Sequence, residues 1–114
     1  MRLNEEILRM WWYDPPKEKN LSAGVAFYDK EYGEYRLKID LLPETKIYLR
    51  PIYTQEEHIF YLAEIVLKRQ EKFIQRKQVG EAWSGPETNG DAFIMLGPFS
   101  KILVLGLKKL KNVS

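Results

Sequence analysis

From Leu21 to Pro51 the apolar residues return at every second position. Val25 and Phe27 alternate with Gly24, Ala26 and Tyr28, the chain passes through Lys30-Glu31-Tyr32-Gly33, and Tyr35, Leu37, Ile39 and Leu41 then alternate with Arg36, Lys38 and Asp40. A period of two puts successive side chains on opposite faces of an extended chain, so the stretch predicts a β-hairpin. Pro43-Glu44 supplies a second turn, and Ile47 and Leu49 alternate with Lys46, Tyr48 and Arg50 until Pro51, which gives the third strand of a meander.

Elsewhere the period changes or blurs. Asn4 is a capping residue, Glu5 and Glu6 follow it, and Ile7, Leu8 and Trp11 stand at helical spacing, which predicts a short N-terminal helix. Asp14-Pro15-Pro16 stops it, leaving residues 14–20 as a linker or arm. Residues 55–78 satisfy both periods: Thr54-Gln55-Glu56-Glu57 spells a capping box and Ile59, Leu62, Ala63 and Val66 fit a helix face. Yet Ile59, Phe60, Tyr61, Ile65 and Val66 are residues that suit a sheet. Asn89-Gly90, lying between Trp83 and Phe93, reads as a hairpin turn, Gly97-Pro98 as another, and Ile102 to Leu105 as a buried closing strand before the basic tail of Lys108, Lys109 and Lys111.

The predicted fold is therefore mainly β, an antiparallel sheet or small barrel of five to seven strands with a short N-terminal helix packed on it. It becomes α+β if residues 55–78 are helical. A chain of 114 residues makes one domain, with residues 1–20 as helix and arm, 21–107 as β core and 108–114 as tail.

Composition narrows the chemistry. With no cysteine, disulfides, thiolate nucleophiles and zinc ribbons are excluded. His58 is the sole histidine and reads as a surface residue; Ser22, Ser84 and Ser100 lie in no nucleophile-elbow sequence. No phosphate-binding glycine loop is present, and the carboxylate pairs Asp29/Glu31 and Glu87/Asp91 fall in predicted turns. These readings predict no enzyme activity, no metal and no cofactor. The acidic start and the short apolar runs predict neither an export signal nor a membrane span, hence a cytoplasmic protein.

The net charge of +2 is uneven, −2 over residues 1–34 and +4 over residues 35–114. Strand alternation places Arg36, Lys38, Lys46, Tyr48 and Arg50 on the face opposite Tyr35, Leu37, Ile39, Ile47 and Leu49, a basic face holding one aromatic. Lys68, Arg69, Lys72, Arg76 and Lys77 put five bases and one acid within ten residues. Bases of this kind track a phosphate backbone while a ring stacks on a nucleobase, so single-stranded nucleic acid is the expected partner. The alternative is a protein partner or a second copy of the chain, met by Trp11 and Trp12 beside the Pro-Pro break. Set against that docking role, Trp11 is expected to plug the end of the sheet, the place of Trp12 is left open, and Trp83 is expected to belong to the core.

The run Val79-Gly80-Glu81-Ala82-Trp83, the polar turn at Asn89-Gly90, then Ala92-Phe93-Ile94-Met95-Leu96 and Pro98-Phe99 resembles domain of unknown function family 736. Gly33-Glu34-Tyr35 leading into Leu37-x-Ile39 and Ile47-x-Leu49-x-Pro51 follows the family's order, so the resemblance spans about residues 21–107. Val79 stands where the family has isoleucine. The resemblance implies strands through residues 58–83, no catalytic residues, and a small protein of bacterial plasmids and integrative elements; with the basic aromatic face, the expected function is a nucleic-acid-binding accessory protein of a mobile element or virus.

Overall fold

The computed structural model describes residues 5–13, 21–70, 72–97 and 101–107. Eight strands follow one another among them: β1 (Glu5–Trp12), β2 (Leu21–Asp29), β3 (Glu34–Ile39), β4 (Ile47–Gln55), β5 (His58–Arg69), β6 (Lys72–Ser84), β7 (Ala92–Leu96) and β8 (Leu103–Leu105). Each pairs antiparallel with the next, and β1 pairs with β8 through Met10–Leu105, Trp11–Val104 and Trp12–Leu103, so the meander closes into a barrel. Where all eight strands are paired, closure removes the open sheet edges that would otherwise template association.

Along β2 to β4 the predicted meander is borne out, and Leu37, Ile39, Ile47 and Leu49 point inward and are buried. The barrel is filled by those side chains with Leu8, Met10, Ile94, Leu103 and Leu105, while Ala26, Ala63, Ala82 and Ala92 leave room for them. Mixing small and large inward residues is how a narrow barrel packs its taper.

The N-terminal helix is corrected: residues 5–12 form β1. Leu8 and Met10 are buried whereas Ile7 is 67% exposed, a period of two. Tertiary pairing on both sides, to β2 and to β8, overrides a local pattern that also fits a helix turn. The strand number is corrected as well, from five to seven up to eight. The open choice over residues 55–78 falls to strand, in β5 and β6. What reads as a capping box is a two-residue hairpin loop, Glu56 (φ 53°) and Glu57 (φ 72°) between the paired Gln55 and His58. The arm at 14–20, the Gly97-Pro98 turn beyond Gly97 and the tail at 108–114 lie outside the described residues.

Gly24 sits at φ +142° where β2 crosses β3, and a Cβ there would stand 2.1 Å from the Lys38 carbonyl oxygen. Asn89 and Gly90 both take positive φ, as their sequence predicts, after a single 3-10 turn at Pro86–Thr88.

Candidate nucleic-acid interface

β5 and β6 outrun the barrel. The β4–β5 ladder ends at Tyr48–Glu64 and the β6–β7 ladder at Gly80–Leu96, so residues 65–77 find their described ladder partners only in each other. Two bulges shape this ribbon, one between the Ala63–Gly80 and Glu64–Gln78 pairs and one between Leu67–Gln75 and Lys68–Phe73. Each leaves an extra residue on β6, which bends and twists it. The first lies where β6 parts from β7, beside an open cleft of about 620 Å³ lined by Gln78, Val79, Gly80, Glu81, Met95, Leu96 and Gly97. Five residues of strand reach roughly 16 Å, in keeping with a molecule 45 Å long and 34 by 31 Å across.

The two basic clusters of the sequence meet at the root of the ribbon. Arg76 donates from Nη1 and Nη2 to both carboxylate oxygens of Glu34 at 2.9 and 3.1 Å, and from Nη1 to Glu64 at 3.3 Å. Arg50 donates from Nε and Nη2 to Glu64 at 3.1 and 2.9 Å. Glu64 is only 6% exposed. Hydrogen bonding from Arg50, then the Arg50 and Arg76 charges, holds its carboxyl below the usual carboxylate range in spite of burial. A lowered carboxylate pKa stabilises the fold above the unfolded value and loses that contribution as pH falls through the folded one. The ribbon root is thus an ionic clamp over β3 to β6, and its forked arginine geometry fixes direction as well as charge.

The clamp changes the predicted roles. Arg50 and Arg76 serve the two carboxylates, and the Arg76 guanidinium also lies 5.0 Å from the centre of the Tyr48 ring, covering one face of the aromatic assigned to base stacking. Arg36 lies 4.6 Å over Phe27. Lys38, Lys46, Lys68, Lys72 and Lys77 are exposed, and none of the described ion pairs involves them. The Arg69 side chain is outside the described ones.

A second feature escaped the sequence reading. On the outward face Tyr53 pairs with Phe60, Phe60 with Trp83, Trp83 with Phe93, Phe93 with Val104 and Val104 with Trp11. Tyr53 and Phe60 stack at 4.8 Å, Trp83 and Phe93 meet edge to face at 5.7 Å, and Tyr13 approaches Phe93 at 5.1 Å. Trp83 is therefore outward and half-buried, not core, because the inward places beside it belong to Gly80 and Ala82. Trp12, left open by the sequence, packs on the core, while Trp11 is no inward plug but lies outward against Gly106.

Acids flank this row. Glu56 and Glu57 form the β4–β5 turn, Glu81 faces outward between Leu62 and Met95, and Glu87 binds His58. His58 has Nε2 at 2.8 Å from Glu87 and Nδ1 at 3.0 Å from the Glu56 carbonyl oxygen. With an acceptor at each ring nitrogen the doubly protonated imidazolium is favoured, and the hydrogen bond to Glu87 above all raises the His58 pKa above its ordinary value. Its contribution to stability is present below the unfolded pKa and lost as pH rises through the raised one.

Among the described residues no three histidine or acidic side chains group as metal ligands, and no helix is long and apolar enough to cross a membrane. Comparison of the chain with protein-family models, curated proteins and solved structures finds no match. The fold is a closed eight-stranded antiparallel barrel with a projecting basic ribbon.

Proposed function

We propose that the protein binds nucleic acid through its phosphates, with the β5–β6 ribbon as the contact element and the outward lysines of β3 and the turn before β4 continuing the track. One observation carries the reading: the segment holding five bases and one acid within residues 68–77 is the part of the chain that leaves the barrel. A two-stranded ribbon is narrow enough to enter the major groove of a duplex. Lysine contacts to phosphate position a protein without reading sequence, so binding is indifferent to base order. The clamp of Glu34, Arg50, Glu64 and Arg76 anchors the ribbon, and Ile65 packs against the core beneath it.

Stacking of a single-stranded base on Tyr48 is disfavoured, since the ring has Arg76 over one face. The test is fluorescence anisotropy with labelled duplex and single-stranded oligonucleotides at two salt concentrations. Five lysine contacts at a slope of about 0.9 each predict roughly a 500-fold loss of duplex affinity between 50 and 200 mM salt. Flat anisotropy with both oligonucleotides at 50 mM salt overturns the proposal.

A further inference from the structure

We propose that copies of this chain associate head to tail, the basic ribbon of one lying across the acid-flanked aromatic row of the next. The two surfaces are complementary in charge and stand apart on one molecule. Lys68, Lys72 and Lys77 mark the ribbon. Glu81 stands on the outward face two residues before Trp83, Glu56 and Glu57 form the turn that joins β4 to β5 beyond Tyr53 and Phe60, all three are exposed, and none of the described ion pairs involves them.

Cations over aromatic rings are already this chain's own device, in Arg36 over Phe27 and Arg76 over Tyr48. An outward row of rings, Tyr53 exposed and Phe60, Trp83 and Phe93 half-buried, with acids beside it offers the same attraction to an incoming lysine, together with ion pairs at its margin. Nucleic acid is disfavoured there, because the margin carries the charge of the phosphates. A symmetric row-to-row contact is disfavoured for the same reason, since it would set acids against acids. Ribbon to row is a heterologous contact, so it extends into a ring or a filament instead of stopping at a pair.

Sedimentation equilibrium without nucleic acid tests this directly. At low salt the wild-type average mass rises with concentration above the 13.5 kDa of one chain, and it returns to that value at high salt. The variant Lys68→Ala/Lys72→Ala/Lys77→Ala lacks a working ribbon, and Glu56→Gln/Glu57→Gln/Glu81→Gln lacks a working margin; each alone stays monomeric. An equal mixture keeps one ribbon and one row, so it forms a 1:1 dimer and goes no further. A wild-type mass fixed at one chain at every concentration overturns the proposal. So does a mixture that stays monomeric, or a variant that still dimerises alone. Nucleic-acid binding by the ribbon is measured separately and stands or falls by itself.

Discussion

A protein carrying Lys68→Ala, Lys72→Ala and Lys77→Ala is expected to bind duplex nucleic acid about a hundredfold more weakly than wild type at 50 mM salt, a loss of roughly 2.7 kcal/mol. The three lysines are exposed, and none of the described ion pairs includes them, so their removal leaves the barrel and the clamp in place. Exposed substitutions of this kind shift stability by about 0.5 kcal/mol or less. The salt dependence is the sharper readout. Losing three phosphate contacts lowers the slope of log K against log salt by nearly 3, so the variant loses only about tenfold where the wild type loses roughly 500-fold. Anisotropy titrations at four salt concentrations measure both slopes. Parallel slopes for the two proteins would place the phosphate contacts elsewhere.

The largest effect on stability is expected at Gly24. Its φ of +142° is a region that side chains rarely occupy, and a Cβ there would lie 2.1 Å from the Lys38 carbonyl oxygen, a backbone atom held by the Gly24–Ile39 pairing of β2 with β3. Gly24→Ala has to break that ladder or move β2, and the Asp40 N–H bond to the Ala23 carbonyl beside it goes too. Backbone strain alone costs about 1–3 kcal/mol, and displacement of the ladder adds to it. A domain of this size holds roughly 5–15 kcal/mol in all, so a loss above about 3 kcal/mol lowers the melting temperature by some 10 °C or more. Gly33→Ala separates the two causes: φ is +68° but nothing lies within 4 Å of the new Cβ, so only the conformational cost of roughly 1–2 kcal/mol remains. Thermal unfolding followed by circular dichroism ranks the two variants; equal losses would contradict the close-approach argument.

The meander of β2 to β4 is legible in the sequence because those strands are apolar on one face only. β5 is not, because Phe60, in the aromatic row, and Leu62, between Arg50 and Glu81, face outward while Tyr61 and Ala63 face the core, and the alternation that marks a strand is erased. The feature that hides β5 is thus the outward surface itself. Trp83 misleads in the same way, since β6 turns its small residues inward and its largest outward. β1 is hidden by its closing partner β8, more than ninety positions along the chain, a pairing that no local window contains. The β4–β5 turn is hidden because Glu56 and Glu57 occupy positive-φ positions that asparagine and glycine normally fill.

The basic residues of the candidate site were all visible, but the clamp was not. Its members stand at 34, 50, 64 and 76, one on each of four strands, and only the register of the barrel brings them together. One sign of it was present: Glu64 is a lone acid within the apolar run from Ile59 to Leu67, and a carboxylate in such a strand has to be paired if it is buried.

The central claim is that the projecting ribbon is the nucleic-acid contact, and a backbone amide NMR titration of the 13.5 kDa chain with a short duplex oligonucleotide tests it residue by residue. The account predicts that amides of residues 65–77, and those around Lys38 and Lys46, shift progressively at low salt and return as salt is added. Shifts confined to the aromatic row of Phe60, Trp83 and Phe93, with the ribbon amides unmoved, would contradict it.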